Sequence, residues 1–186
     1  MIFETATGLL STCCAVNMAY NKTLKNDNYT DQLTGLYNRK FLKKLESMEK
    51  SGDKFYVVGC DIDHFKRVND TYGHTTGDIV LKTFSETLKG MFKGSKDYVV
   101  RFGGEEFFIF SKKSPEYTED IIFNRVEETR KKIEDLEILS TDTQLIKITV
   151  SFGISYDDKL SIDKKIEDSD KKLYEAKNTG RNKVII

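Results

Sequence analysis

The stretch DYVVRFGGEEFFIF, Asp97 to Phe110, decides how this 186-residue chain folds. Two apolar runs, DYVVRF and EEFFIF, flank a pair of glycines, the strongest hairpin signal in the sequence. A type I′ turn needs positive φ at both central positions, which Gly103 and Gly104 supply without steric cost. That reading leaves Glu105 and Glu106 unexplained. Carboxylates opening a strand that continues FFIF lie near the core and suffer desolvation unless something positive stands beside them. A cation is the economical answer. Adjacent strand residues face opposite sides, so the two glutamates need different roles or a distorted hairpin end. Glycines at the tip also let a ligand come close to the backbone.

Working outward, LTGLYNRKFLKKLESMEK reads as a first helix after a turn at Thr34-Gly35. KFYVVGCDID is a buried central strand ending in acids. From His64 to about Lys93 the apolar residues recur at helical spacing, broken at YGHTTGD, which predicts two helices joined by a tight turn at Gly73. SPEYTEDIIFNRVEETRKKIEDL is a long amphipathic helix whose start is marked by Ser114 and the only proline, Pro115. IKITVSFGISY is a strand, IDKKIEDSDKKLYEAKNTG a helix closed by Gly180, and NKVII a final strand. Helices and strands mingle around one hairpin, which predicts an α+β sandwich with a mixed sheet and helices on its faces.

The length suits one domain with a real core and is short for two. Lys+Arg and Asp+Glu are 30 each, so no global basic field exists to hold a nucleic-acid polymer by its phosphates. Cys13, Cys14 and Cys60 form no CxxC pair and suit a reducing cytoplasm. Cys60 lies in an apolar strand, as a small core residue would. Thr5 to Tyr20 is uncharged but falls short of the ~20 apolar residues of a membrane span. It lacks the cationic start of a secretory signal and reads as the end of an upstream helix, with a partner-contacting or dimerising helix and a disordered tail as the alternatives. Polar residues 21 to 32 mark the boundary, so the expected division is a helical or linker segment over 1–30 and a domain over 31–186.

A second acidic site lies in CDIDHF. Asp61 and Asp63 share a face where strand passes into helix. Asp63 directly precedes the helix and reads as its N-cap. Asp61 has no such role. Carboxylates from two strand ends with a backbone carbonyl make the partial oxygen shell that Mg²⁺ takes when substrate phosphates complete it. Asp61, Glu105 and Glu106 fit that description if the hairpin lies beside the Asp61 strand. Further along, Lys66 can meet a phosphate, and Asn69 and Asp78 can address a base, guanine offering one carboxylate two adjacent donors. Each also has a plain role: Asn69 ends a helix, Asp78 caps the next, Lys66 is a solvated charge, and His74 is a turn residue. Lys177 and Arg181 flank a helix C-terminus, where cations are favoured by the dipole and can also clamp a triphosphate.

Taken together the segments resemble the GGDEF family, the diguanylate cyclases. The matches are DQLTGLYNR, DIDHFKRVNDTYGHTTGD, RFGGEEF, TVSFGIS and LYEAKNTGRN, in family order over residues 31 to 186. The resemblance implies a fold like the nucleotidyl-cyclase and polymerase palm: a central five-stranded mixed, mostly antiparallel sheet surrounded by helices. It implies condensation of two GTP into cyclic di-GMP with release of two pyrophosphates. By family position Asp61 and Glu106 are ligands of Mg²⁺ or Mn²⁺, with the Ile62 carbonyl assisting. Glu105 is the proposed base for the 3′-OH, and Lys66 a stabiliser of transition-state charge. Asn69 and Asp78 read guanine, His74 lies close to the nucleotide, and Lys177 and Arg181 contact phosphate. Gly103 and Gly104 form the turn on which the nucleotide lies.

Each domain resembles half an active site, so a homodimer is the expected working form. An upstream sensor or receiver module is a natural partner, in a cytoplasmic chain or the cytoplasmic part of a membrane receptor. Two alternatives stand beside this: a catalytically silent GTP-binding module, and a synthase of hybrid cyclic GMP-AMP. One departure matters. Many family members carry an inhibitory Arg-x-x-Asp site, and here the tetrapeptide is Gly94-Ser95-Lys96-Asp97. Lys96 lacks the planar fork of the missing arginine, so feedback inhibition is expected to be weak or absent.

Overall fold

The computed structural model describes residues 28–94 and 96–186. Except for Asn28 to Thr30, the segment expected over residues 1–30 lies outside the described residues. Asp31–Ile186 forms a compact unit. Its strands are β1 (Tyr37–Asn38), β2 (Phe55–Ile62), β3 (Asp97–Gly103), β4 (Glu106–Lys112), β5 (Ile138–Leu139), β6 (Leu145–Ile146), β7 (Val150–Ser155) and β8 (Val184–Ile185). Its helices are α1 (Leu42–Lys50), α2 (Phe65–Met91), α3 (Glu119–Glu134) and α4 (Ile162–Asn178). The main sheet runs β1-β3-β4-β2-β7-β8, and β5 and β6 pair in a small ribbon. The two outermost pairings, β1 with β3 and β7 with β8, are parallel, and the inner three are antiparallel.

The mixed, mostly antiparallel sheet with helices around it is the expected fold, with one strand more. The addition is β1, which the sequence reading merged into the first helix. Gly35, at φ 64°, turns the chain so that Tyr37 and Asn38 run extended beside Val100 and Arg101. Asn38 then caps a single 3₁₀ turn by accepting from Lys40 N, and α1 starts only at Leu42. The α3 helix also starts later than Ser114-Pro115 suggests. Ser114 O accepts from Tyr117 N in a local turn, and Thr118 caps the helix at Ile121 N. The break at Gly73 is as expected: its φ/ψ of 79°/160° interrupts α2. Gly180, at φ 115°, follows the end of α4.

β2 lies at the centre because all eight of its residues are buried, which only a strand with sheet on both sides and helices on both faces permits. Tyr56, Val58, Cys60 and Ile62 join Phe84 and Leu88 of α2 and Ile122 and Val126 of α3 in one core. Phe84, Phe107 and Phe152 are fully buried and contribute on the order of 2 kcal/mol each. The other face of the sheet takes α4. There a Cβ on Gly153 would stand 2.2 Å from Ser169 O, so only glycine admits the helix backbone at this distance. Cys60 is a core residue, and burial pushes its thiol pKa well up, away from reactivity.

The hairpin corrects the expected turn. Arg101 pairs with Phe107, but Gly103 pairs with Glu106, so Phe102 is an extra residue bulged out of the ladder. The turn is therefore Gly104-Glu105 rather than Gly103-Gly104. Gly104 takes the left-handed φ of 51° while Glu105 keeps a negative one, which excludes type I′. Arg101 reinforces the distortion. Its Nε and Nη2 donate to Gly104 O at 3.0 and 2.8 Å, and its Nη1 reaches Asp31 Oδ1 at 3.0 Å.

Candidate functional site

The shifted turn answers how neighbouring glutamates approach one place. Glu106 opens β4 directly opposite Asp61 of β2, so the two carboxylates share the α4 face of the sheet. Glu105 sits in the turn rather than on the opposite strand face. Asp61, Glu106 and Lys177 line one cavity of about 300 Å³ with Cys60, Phe108, Asp170, Leu173 and Tyr174. Asp170, Leu173, Tyr174 and Lys177 come from one side of α4, at helical spacing. Lys177 Nζ lies 2.9 Å from Asp61 Oδ2.

Asp61 is the most perturbed carboxylate there. Burial pushes its pKa up to about 6 despite Lys177, which pulls the other way, while Glu105 and Glu106 raise it further by charge repulsion. A chain that buries an aspartate between acids pays in stability, the signature of a site arranged for a ligand rather than for folding. Among the described residues no three His, Cys, Asp or Glu side chains form a ready metal cage. The donor chemistry still fits Mg²⁺ or Mn²⁺, because such ions keep open positions for substrate oxygens and need only one or two protein carboxylates. The register that sets Asp61 against Glu106 supplies those two.

Asp63 is no N-cap. His64, at φ 59°, occupies the cap position of α2 without a capping side-chain bond. Asp63 instead is buried and accepts from Thr149 Oγ1 at 2.7 Å, Ser151 Oγ at 2.7 Å and Asn182 N at 3.0 Å. It ties the end of β2 to β7 and to the loop after α4, partners 86 to 119 residues away that no local signal reveals.

The other candidate groups lie on neighbouring elements. Lys66 is exposed on the first turn of α2, Asn69 one turn on, and His74 and Asp78 are exposed beyond the Gly73 break. Asn69 and Asp78 lie inside helical segments, so neither the helix-ending nor the capping role holds. Asn69 Oδ1 is buried without a hydrogen-bond partner, packed against Gly77, where a Cβ would stand 1.9 Å from it. Arg181 follows α4 with its side chain half-buried. None of these five lines the Asp61 cavity. Gly103 and Gly104 line a separate recess of about 420 Å³ with Asp31, Asn38, Arg39, Lys40, Arg101 and Phe102. Asp31 and Arg101, which anchor the turn, were seen in the sequence only as motif members. Their pairing across 70 residues carries no local signal.

Comparison with known proteins gives the family. The family model described as diguanylate cyclase, GGDEF domain, matches residues 28–183. Diguanylate cyclase A of Treponema denticola is 34% identical over 176 residues, which cover 89% of this chain and 46% of that protein. An uncharacterized membrane protein of Staphylococcus aureus is 36% identical over 169 residues, 87% of this chain and 46% of that protein. The chain thus spans about half the length of the curated relatives it matches. The crystal structure of the coiled coil and GGDEF domain of DgcB from Caulobacter crescentus, in complex with c-di-GMP, superposes with a TM-score of 0.85. It is 26% identical and covers 100% of this chain and 99% of that one. Among the described residues no helix is long and apolar enough to cross a membrane.

Proposed function

The chain belongs to the diguanylate cyclase GGDEF domain family, and from that premise we propose that it condenses two GTP into cyclic di-GMP and two pyrophosphates as a homodimer. The observation that carries the reading is the placement of Asp61 opposite Glu106, with Lys177 on Asp61 and Glu105 in the adjoining turn. Asp61, Glu106 and the Ile62 carbonyl would hold Mg²⁺ or Mn²⁺, which when bound spreads developing phosphate charge and acidifies the attacking hydroxyl. Glu105 accepts the proton of the 3′-OH as the new 3′-O–P bond forms and the bond to pyrophosphate breaks. Lys66 offsets charge that develops at the α-phosphate, and Lys177 and Arg181 hold the β- and γ-phosphates. Asn69 and Asp78 read the guanine edge, and His74 borders the nucleotide. Gly103 and Gly104 leave room for the nucleotide at the turn.

One domain carries one such set, and closing the ring needs a second GTP presented in the opposite sense, hence two copies. The need for GTP sets the site in the cytoplasm, with a sensor or receiver module bringing the copies together. The test is incubation of the dimeric protein with Mg²⁺ and GTP, ATP or both, with chromatography of the products. Cyclic di-GMP alone is expected. No cyclic dinucleotide would leave a silent GTP-binding module, and a mixed product would make the enzyme a cyclic GMP-AMP synthase.

A further inference from the structure

The loop that follows α4 contains the only two consecutive non-glycine residues with left-handed backbone among the described residues: Arg181 at φ 61° and Asn182 at φ 47°. Left-handed backbone is unfavourable for a residue such as Arg181, less so for asparagine, and a run of two is held by surrounding contacts. Here the contacts are explicit. Arg181 N donates to Ala176 O at 2.9 Å, Asn182 N to Asp63 Oδ2 at 3.0 Å, and Lys183 O accepts from Phe152 N at 2.9 Å. Three consecutive residues are thus fixed to α4, to the end of β2 and to β7.

The Asn182 side chain adds a fourth anchor, on α3. Arg130 Nη1 donates to Asn182 Oδ1 at 2.8 Å, and Asn182 Nδ2 donates to Glu134 Oε1 at 2.8 Å. Arg130 is itself immobilised. Its Nε and Nη2 form a fork on Glu127 at 2.9 and 2.8 Å, and Nη1 also reaches Glu134 Oε2 at 2.8 Å. A guanidinium held by two carboxylates is a rigid platform, because its donors lie in one plane. This cluster lies outside every group that the reaction uses directly. Its one outlet is the loop, and the loop residue bracketed by these bonds is Arg181.

We propose that Arg130 and Asn182 are positioning residues that hold the strained loop so that Arg181 meets the triphosphate. The proposal rests on the function given above, and it predicts a selective effect. A loosened Arg181 loses its contact with the β- and γ-phosphates and leaves recognition of the base unaltered, so binding of GTP falls and binding of GMP does not.

Asn182→Gly is the cleanest variant, since glycine accepts the left-handed backbone and keeps the N–H to Asp63 while deleting both side-chain bonds. Arg130→Lys keeps a charge on α3 and loses the fork. Calorimetric titration of each with GTP and with GMP, alongside thermal melting, reads the effect. The expected result is GTP affinity lower by about tenfold, the scale of one charged hydrogen bond, with GMP affinity and melting temperature near those of the parent. Unchanged GTP affinity in the folded variants would overturn the proposal, and so would equal losses for GTP and GMP, which would make the network structural only. A parent protein that binds neither nucleotide would overturn the function itself, and this inference with it.

Discussion

Asp61 and Asp97 are both buried aspartates at the end of a strand, and their surroundings are opposite. Asp97 accepts from Ser111 Oγ at 2.7 Å and from the Arg125 guanidinium, Nη2 lying 2.8 Å from Oδ2. Arg125 is in turn fixed by Met91 O at 2.8 Å and stacks over Phe92 and Tyr117. Asp61 has one lysine, and two glutamates that oppose its charge. A satisfied buried acid stabilises a fold. An acid set among acids weakens it and leaves a place for a cation and a phosphate. Asp97 also closes the tetrapeptide Gly94-Ser95-Lys96-Asp97, the position at which the sequence reading expects a weak or absent inhibitory site. In this chain that carboxylate is committed to Arg125.

The largest expected effect lies at the strained end. Glu105→Gln should cut turnover by roughly 10³-fold, the usual scale for a lost general base, and leave GTP binding measurable by titration. Turnover near that of the parent would remove Glu105 from the chemistry and weaken the contrast. At the satisfied end the effect is on stability. Arg125→Ala strands a buried carboxylate and should lower unfolding free energy by about 3 kcal/mol, read in urea, with turnover per folded molecule unchanged. The smallest effect expected is none: added cyclic di-GMP should not inhibit, and Gly94→Arg should not create inhibition. A Cβ at Gly94 would stand 2.9 Å from Tyr117 Oη and 3.1 Å from Asp97 Oδ2, so the new side chain is pushed away from an acid already paired. Inhibition that GTP does not relieve, appearing in either experiment, would show that Asp97 is available after all.

Much of this was legible in the sequence, and what was not has a physical cause. Strands β2, β4 and β7 and the break at Gly73 announce themselves through apolar runs and a punctuating glycine. The two-residue strands β1, β5 and β6 do not, because their pairing is decided by neighbours rather than by their own residues. The hairpin was visible but its turn was misplaced by one residue. Two glycines suggest a symmetric turn, and the bulge at Phe102 and the grip of Arg101 on Gly104 O are set by packing and by Asp31. For the site, residue types alone point to a cation near Glu105 and Glu106, the family resemblance pairs Asp61 with Glu106, and the sheet register sets those two directly opposite each other. Asp63 was misread for the same reason: its partners Thr149, Ser151 and Asn182 are distant in sequence, whereas the helix it precedes is local.

Asp61 is held in its unfavourable setting for chemistry and not for folding, and a single substitution can separate the two. Its raised pKa means that ionised Asp61 costs stability in full above about pH 6, and that the cost vanishes only below about pH 3, where the carboxyl is protonated in both folded and unfolded chains. Unfolding of Asp61→Asn and the parent should therefore be compared at pH 7 and pH 3 without divalent ions, with cyclic di-GMP formation assayed at pH 7 in their presence. The variant is expected to be more stable than the parent by on the order of 2 kcal/mol at pH 7, equal to it at pH 3, and without product. A variant that is less stable at pH 7, or that still makes cyclic di-GMP, would contradict it.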